Sequence, residues 1–321
     1  MKATETGMND PQAPHPRALL GIAALVATGA LWGSNHVVAS AARDIVPLPA
    51  MVFWRWGIGL IVLTLIALPS LRSAWPAIRA RGTDLVVGGV VGVGLFSYLL
   101  LGGAYRSIAI EVGFINATTP IWVALIGLFS GGERVTPLTW MSLAIAFAGT
   151  VLIITKGDPA LLAGLDFNLG NLLSLCAAIT FAWFSLRLRD WTRTIDALPL
   201  SVATGWVALV LVFLPVYLVW LALGGPWLAW PEADPKMALA AIAYVGLGPT
   251  MLGNLFYLYG VMTNGPQRAA VFLYLSPVFS AGFAMLWLGE QLAWFHVAGF
   301  AAIITGLVLL NCATAPNPRP A

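Results

Sequence analysis

Charge is what this chain has least of. Only 9% of its 321 residues are Asp, Glu, Lys or Arg, against about a quarter in an ordinary soluble domain. A water-facing shell of normal size is therefore excluded. Cysteine is nearly absent as well: Cys176 and Cys312 stand far apart, in or beside apolar stretches. Such a pair makes no disulfide scaffold or thiolate metal centre and reads as small core residues. The histidines, His15, His36 and His296, are scattered, which speaks against the clustered groups a membrane-embedded enzyme would need. No Asp or Glu stands near the middle of an apolar run, so the usual carboxylate proton relay has no candidate. A charge ring or repeated carbonyl filter, the mark of a selective channel, is missing too.

Apolar length is what remains. The chain is 60% hydrophobic with a mean hydropathy of +0.88, and its charges cluster between runs of about 18 to 25 residues, enough to span a bilayer. The expected class is an all-α polytopic membrane protein. Spans are expected near 18–40, 47–69, 84–106, 112–130, 136–155, 169–188, 199–223, 236–260, 268–288 and 292–312. A disordered tail, 1–17, precedes a first five-helix unit, 18–155; an extracytoplasmic linker, 156–168, leads to a second unit, 169–312, and a tail, 313–321. With the amino terminus inside, cytoplasmic segments carry Lys2, Arg17, Arg72, Arg79, Arg81, Arg134, Arg187, Arg189, Arg193, Arg268 and Arg319. Only Arg43, Arg106, Lys156 and Lys236 fall outside, so both termini are expected in the cytoplasm. The net charge of +3 then reflects membrane orientation rather than a nucleic-acid partner.

The two units repeat one another at an offset of 157 positions. Pro120 pairs with Pro277, Gly132-Glu133 with Gly289-Glu290, Gly149 with Gly306, and Val151-Leu152 with Val308-Leu309. Five crossings per copy turn the second copy upside down, and inverted repeats of this kind build alternating-access carriers with a solute site between the halves.

Candidate site residues follow from depth and polarity. Trp32, Asn35 and His36 share one face of the first span at i, i+3 and i+4, and polar groups at that depth usually face the bundle interior. Trp183 sits in a weaker echo of the Trp32-Gly33-Ser34 segment, nearer the cytoplasmic interface. Ser97 and Asn254 are repeat mates, with Tyr98 and Tyr257 close by; Asn116 and Tyr274 precede the paired prolines. Amides, hydroxyls and aromatic rings suit a polar or zwitterionic aromatic solute. For each side chain, core packing is the plainer alternative. Pro120 and Pro277 free the carbonyls of Asn116 and Leu273, which lipid does not tolerate unsatisfied, so both are read as kinks in the moving helices. Arg55, Glu133 and Glu290 are read as structural charges: Arg55 snorkels or pairs with a carbonyl, with a substrate carboxylate as its second reading, and the glutamates fix tight turns. His36 is the deep group that titrates near neutral pH, hence the candidate if transport is proton-coupled.

Trp32-Gly33-Ser34-Asn35, Arg55 after Pro47, and the twice-present helix running from a proline to Gly-Glu together resemble the EamA-type ten-helix permeases of the drug/metabolite transporter superfamily. The resemblance covers about residues 18–312. It implies two inverted five-helix halves, a cavity lined mainly by helices 1, 3, 4, 6, 8 and 9, and export of small metabolites across a bacterial inner membrane. The aromatic inner faces look most like the YddG-type branch, which exports aromatic amino acids and some aromatic cations such as methyl viologen. No cofactor and no metal are expected; the partners are a small-molecule substrate and membrane lipid, with a monomer sufficient.

Overall fold

The computed structural model describes residues 16–107, 112, 115–129, 136–163, 168–288 and 293–313. Both tail ends, Glu133 and Glu290 lie outside these residues, as do the side chains of His36, Pro277 and Cys312. The described chain is helical: α1 (Pro16–Ala42), α2 (Leu48–Ala80), α3 (Gly82–Arg106), α4 (Thr119–Phe129), α5 (Pro137–Ile154), α6 (Leu169–Trp191), α7 (Ala197–Ala222), α8 (Pro235–Asn264), α9 (266–288) and α10 (Trp294–Ala313). A single turn, Ala160–Ala163, stands between the halves. Six of these helices are long and apolar enough to cross a membrane, namely α1, α2, α3, α6, α7 and α8; α4, α5 and α10 are apolar but shorter.

Local chemistry explains the helix starts. Thr136 caps α5 by accepting from the Thr139 N–H at 3.2 Å, with Pro137 as first residue. Asn168 accepts from Asn171 N–H at 3.1 Å, and Asp234 accepts from Lys236 N–H at 2.9 Å ahead of Pro235. Each side chain satisfies an amide that the first turn leaves without a partner. α2 runs well past the expected end at 69 despite Pro69 and Pro76. Ser70 donates to the Ala67 carbonyl at 2.9 Å beside the first proline, and much of this end is exposed.

Each half packs mainly on the other, and the pattern is unchanged when the halves are exchanged. α3 packs on α6 and α1 on α8; α4 on α6 and α9 on α1; α7 on α3 and α2 on α8. α5 and α10, and α2 and α7, pack on their own counterparts. The α5–α10 seam makes the exchange visible atom by atom. A Cβ on Gly149 would lie 2.7 Å from the Gly299 carbonyl, and one on Gly306 would lie 2.7 Å from the Ser142 carbonyl. Gly299 and Ser142 are themselves 157 apart. Absence of a side chain is what lets these backbones meet.

Candidate functional site

The centre is organised by a backbone irregularity at matching places in α3 and α8, with a third at Leu209–Phe213 of α7 that α2 does not share. α3 widens into a π-helix over Gly88–Leu95 and α8 over Gly246–Gly253. Such wide turns are rare and tend to sit at functional sites. Both segments approach a neighbouring backbone: a Cβ on Gly89 would lie 2.7 Å from the Thr204 carbonyl of α7, and one on Gly246 would lie 2.7 Å from the Arg55 carbonyl of α2.

Side chains then satisfy the carbonyls within the widened turns. Ser97 Oγ donates to the Val93 carbonyl at 2.7 Å, and Asn254 Nδ2 donates to the Thr250 carbonyl at 2.6 Å. These are the same bond in the two copies. Trp32 Nε1 reaches from α1 to the Pro249 carbonyl at 3.0 Å, and Thr28 Oγ1 to that of Gly253 at 3.3 Å. Trp56 Nε1 donates to Ser97 Oγ at 3.2 Å, tying α2 to α3.

Between these elements lies a partly open cavity. Its wall comprises Trp56, Gly59, Leu60 and Leu63 of α2; Val93 of α3; Phe181, Phe184 and Leu188 of α6; Ser201 and Thr204 of α7; and Thr250, Met251, Asn254, Tyr257 and Leu258 of α8. No charged side chain faces it among the described residues. Four aromatic rings and six other apolar side chains make it apolar, with the Asn254 amide, the Tyr257 phenol and three hydroxyls as polar points. Behind the wall, Trp32 packs 5.3 Å from the Tyr257 ring and 5.7 Å from Phe181. Tyr257 shares a 2.9 Å hydrogen bond with Ser185, which fixes its ring against the cavity.

Of the residues singled out in the sequence, Asn254 and Tyr257 line this cavity and Trp32 backs it. Asn35 is buried, with its Oδ1 unpartnered. Tyr98 turns instead toward Phe213, 5.8 Å away. Trp183 lies under the Arg187 guanidinium at 5.9 Å, away from the cavity wall. Tyr274 is buried in a 3₁₀ turn, Phe272–Tyr274, inside α9. The Asn116 carbonyl, freed by Pro120, accepts from Thr119 Oγ1 at 2.7 Å.

The expectation named helices 1, 3, 4, 6, 8 and 9, of which α3, α6 and α8 line this cavity. α2 and α7 take the places given to α1, α4 and α9, because the glycine contacts bring α2 onto α8 and α7 onto α3. Trp56, Phe181, Phe184, Ser201, Thr204 and Thr250 were therefore missed. A usable signal existed for three of them: Thr250 is the repeat mate of Val93, and Ser201 and Thr204 are hydroxyls at i and i+3 in an apolar helix.

Comparison with known proteins gives a consistent picture. A family model described as the EamA-like transporter family matches twice, over residues 19–155 and 168–312. The chain is 24% identical over 266 residues to the uncharacterized transporter YyaM of Bacillus subtilis, covering 79% of this chain and 81% of that protein. It is 24% identical over 301 residues to a probable terminal-alkyne amino-acid exporter of Streptantibioticus cattleyicolor, covering 93% and 95%. A solved crystal structure matches with a TM-score of 0.71 at 20% identity, covering 92% of this chain and 96% of that one, a likeness of fold. The duplicated helical unit, the cavity between its copies and the twofold match agree: this multi-pass membrane protein belongs to the EamA-like transporter family.

Proposed function

We propose that this protein is a secondary carrier exporting amino acids, aromatic ones first, from the bacterial cytoplasm by alternating access between two inverted halves. The observation that carries the reading is the uncharged cavity walled by Trp56, Phe181, Phe184 and Tyr257, with Asn254, Thr204 and Thr250 as its polar points. Rings of this kind stack on a flat solute while a few hydrogen bonds orient it. One relative is named an amino-acid exporter, which supports the substrate class. Both termini are assigned to the cytoplasm of an inner-membrane protein from the basic residues of the loops.

An exporter of aromatic cations is the second reading, favoured by the same rings, since a cation binds an aromatic face. Among the described residues the wall holds no carboxylate, which argues for the amino acid. Proteoliposomes loaded with labelled tryptophan, threonine or methyl viologen separate the readings, with and without a pH gradient. Tryptophan efflux is expected to exceed the others. Release of threonine or methyl viologen without tryptophan would overturn the order.

A further inference from the structure

Arg55 is an unusual residue for its surroundings. It lies in the second turn of α2 and is only 6% exposed, and its Nε is buried without a hydrogen-bond partner. Ion pairs such as Arg43–Asp44, Arg81–Asp84 and Arg193–Asp190 lie at helix ends, and none among the described residues involves Arg55. Its electrostatic neighbours are two phenols of α3, Tyr98 and Tyr105. Tyr105 is committed to the Val46 carbonyl at 3.2 Å. The Tyr98 hydroxyl is buried and has no partner.

Arg55 Nε and the Tyr98 hydroxyl are thus both buried without a hydrogen-bond partner, and the guanidinium cannot be neutralised in a protein. Leaving a guanidinium buried and unpaired is costly, and intramembrane charges of this kind mark ligand sites by default. Their position relative to the cavity is defined by the same two helices. The Trp56–Ser97 hydrogen bond joins α2 and α3 at the cavity wall; Arg55 directly precedes Trp56 and Tyr98 directly follows Ser97, both just behind that wall. Arg55 also shares a helix face with Gly59, one turn on, which lines the cavity.

We propose that the Arg55 guanidinium and the Tyr98 hydroxyl form a carboxylate site beside this cavity, one residue removed on each helix from the Trp56–Ser97 bond at its wall. The aromatic wall takes the side chain of the solute, and the guanidinium takes its carboxylate through paired N–H donors. This rests on the amino-acid reading above and adds the acid group as a requirement. It separates solutes with a carboxylate from otherwise identical amides.

The test measures thermal stabilisation of the purified full-length protein by matched acid and amide pairs. Tryptophan and tryptophanamide form one pair; leucine and leucinamide form the other. In the unsubstituted protein the acid should bind more tightly than its amide. Arg55→Gln should weaken acid binding by about tenfold or more, the loss expected for a hydrogen bond to a charged group, while amide binding stays within about threefold. Tyr98→Phe, which removes one unpartnered oxygen, should weaken the acid selectively by a smaller factor, and decides the matter if Arg55→Gln does not fold.

A response in the leucine pair alone, abolished by Arg55→Gln, would keep the carboxylate site and overturn the aromatic preference. Acid and amide binding alike, or an acid preference that survives Arg55→Gln or is untouched by Tyr98→Phe, would overturn the site whatever is transported. Silence in both pairs would overturn site and substrate class together.

Discussion

Ser97 and Asn254 perform the same task with different remainders. Each gives a hydrogen to the carbonyl four residues back in a widened turn. Ser97 then accepts from Trp56 and is fully enclosed, whereas Asn254 keeps its amide at the cavity wall. Replacing Ser97 with alanine should therefore act on stability, by about 1 kcal/mol, the scale of an interhelical hydrogen bond in a membrane. Asn254→Ala should instead cut tryptophan flux by about tenfold, if the lost contact is worth a typical polar hydrogen bond. Initial efflux rates and thermal unfolding measured on both variants check this; a flux loss confined to Ser97→Ala contradicts it. Asn254 and Tyr257 were legible in the sequence because polar groups deep in an apolar run have few places to go. Trp56, Ser201 and Thr204 were not. An offset of 157 tells which helices correspond, but not which face a helix turns inward.

The paired prolines also diverge in detail. Proline at 120 and 277 withholds an N–H from the carbonyls of Asn116 and Leu273. In the first copy the Thr119 hydroxyl takes over the Asn116 carbonyl at 2.7 Å. Its mate Ser276 is buried with no partner for its hydroxyl, and the chain there tightens into the 3₁₀ turn Phe272–Tyr274. Removing Thr119 Oγ1 leaves a part-buried acceptor bare, which costs about 1 kcal/mol, whereas removing an already orphaned hydroxyl costs little or nothing. Thr119→Ala is thus expected to lower the melting temperature and Ser276→Ala to leave it unchanged or raise it. Equal losses would show that the two breaks are held in the same way. The break positions themselves were legible, since proline chemistry is local; the manner of repair depends on a rotamer the sequence does not specify.

Across the molecule, symmetry belongs to the scaffold and not to the site. Helix pairing survives exchange of the halves, yet α8 gives the cavity Thr250, Asn254 and Tyr257 where α3 gives only Val93. The duplicated sequence made the scaffold legible, because helix correspondence and the glycine seam follow from one offset. Chemistry accumulated on one copy leaves no such trace. The seam offers its own test. Gly149→Leu and Gly306→Leu each force a side chain onto a carbonyl 2.7 Å away, and overpacking of this kind costs about 1–3 kcal/mol. The two variants should lose similar stability in thermal unfolding, and a loss at one position alone contradicts an equivalent seam.

Inversion of the halves is the claim on which alternating access depends, and the equivalent loops α1–α2 and α6–α7 report on it directly. Asp44 and Arg193 are exposed in those loops. Single cysteines placed there, in a chain with Cys176 and Cys312 replaced by alanine, would be treated in intact cells with a membrane-impermeant maleimide. The account predicts labelling of Asp44→Cys from outside and of Arg193→Cys only after the membrane is opened. Labelling of both from the same side would contradict it.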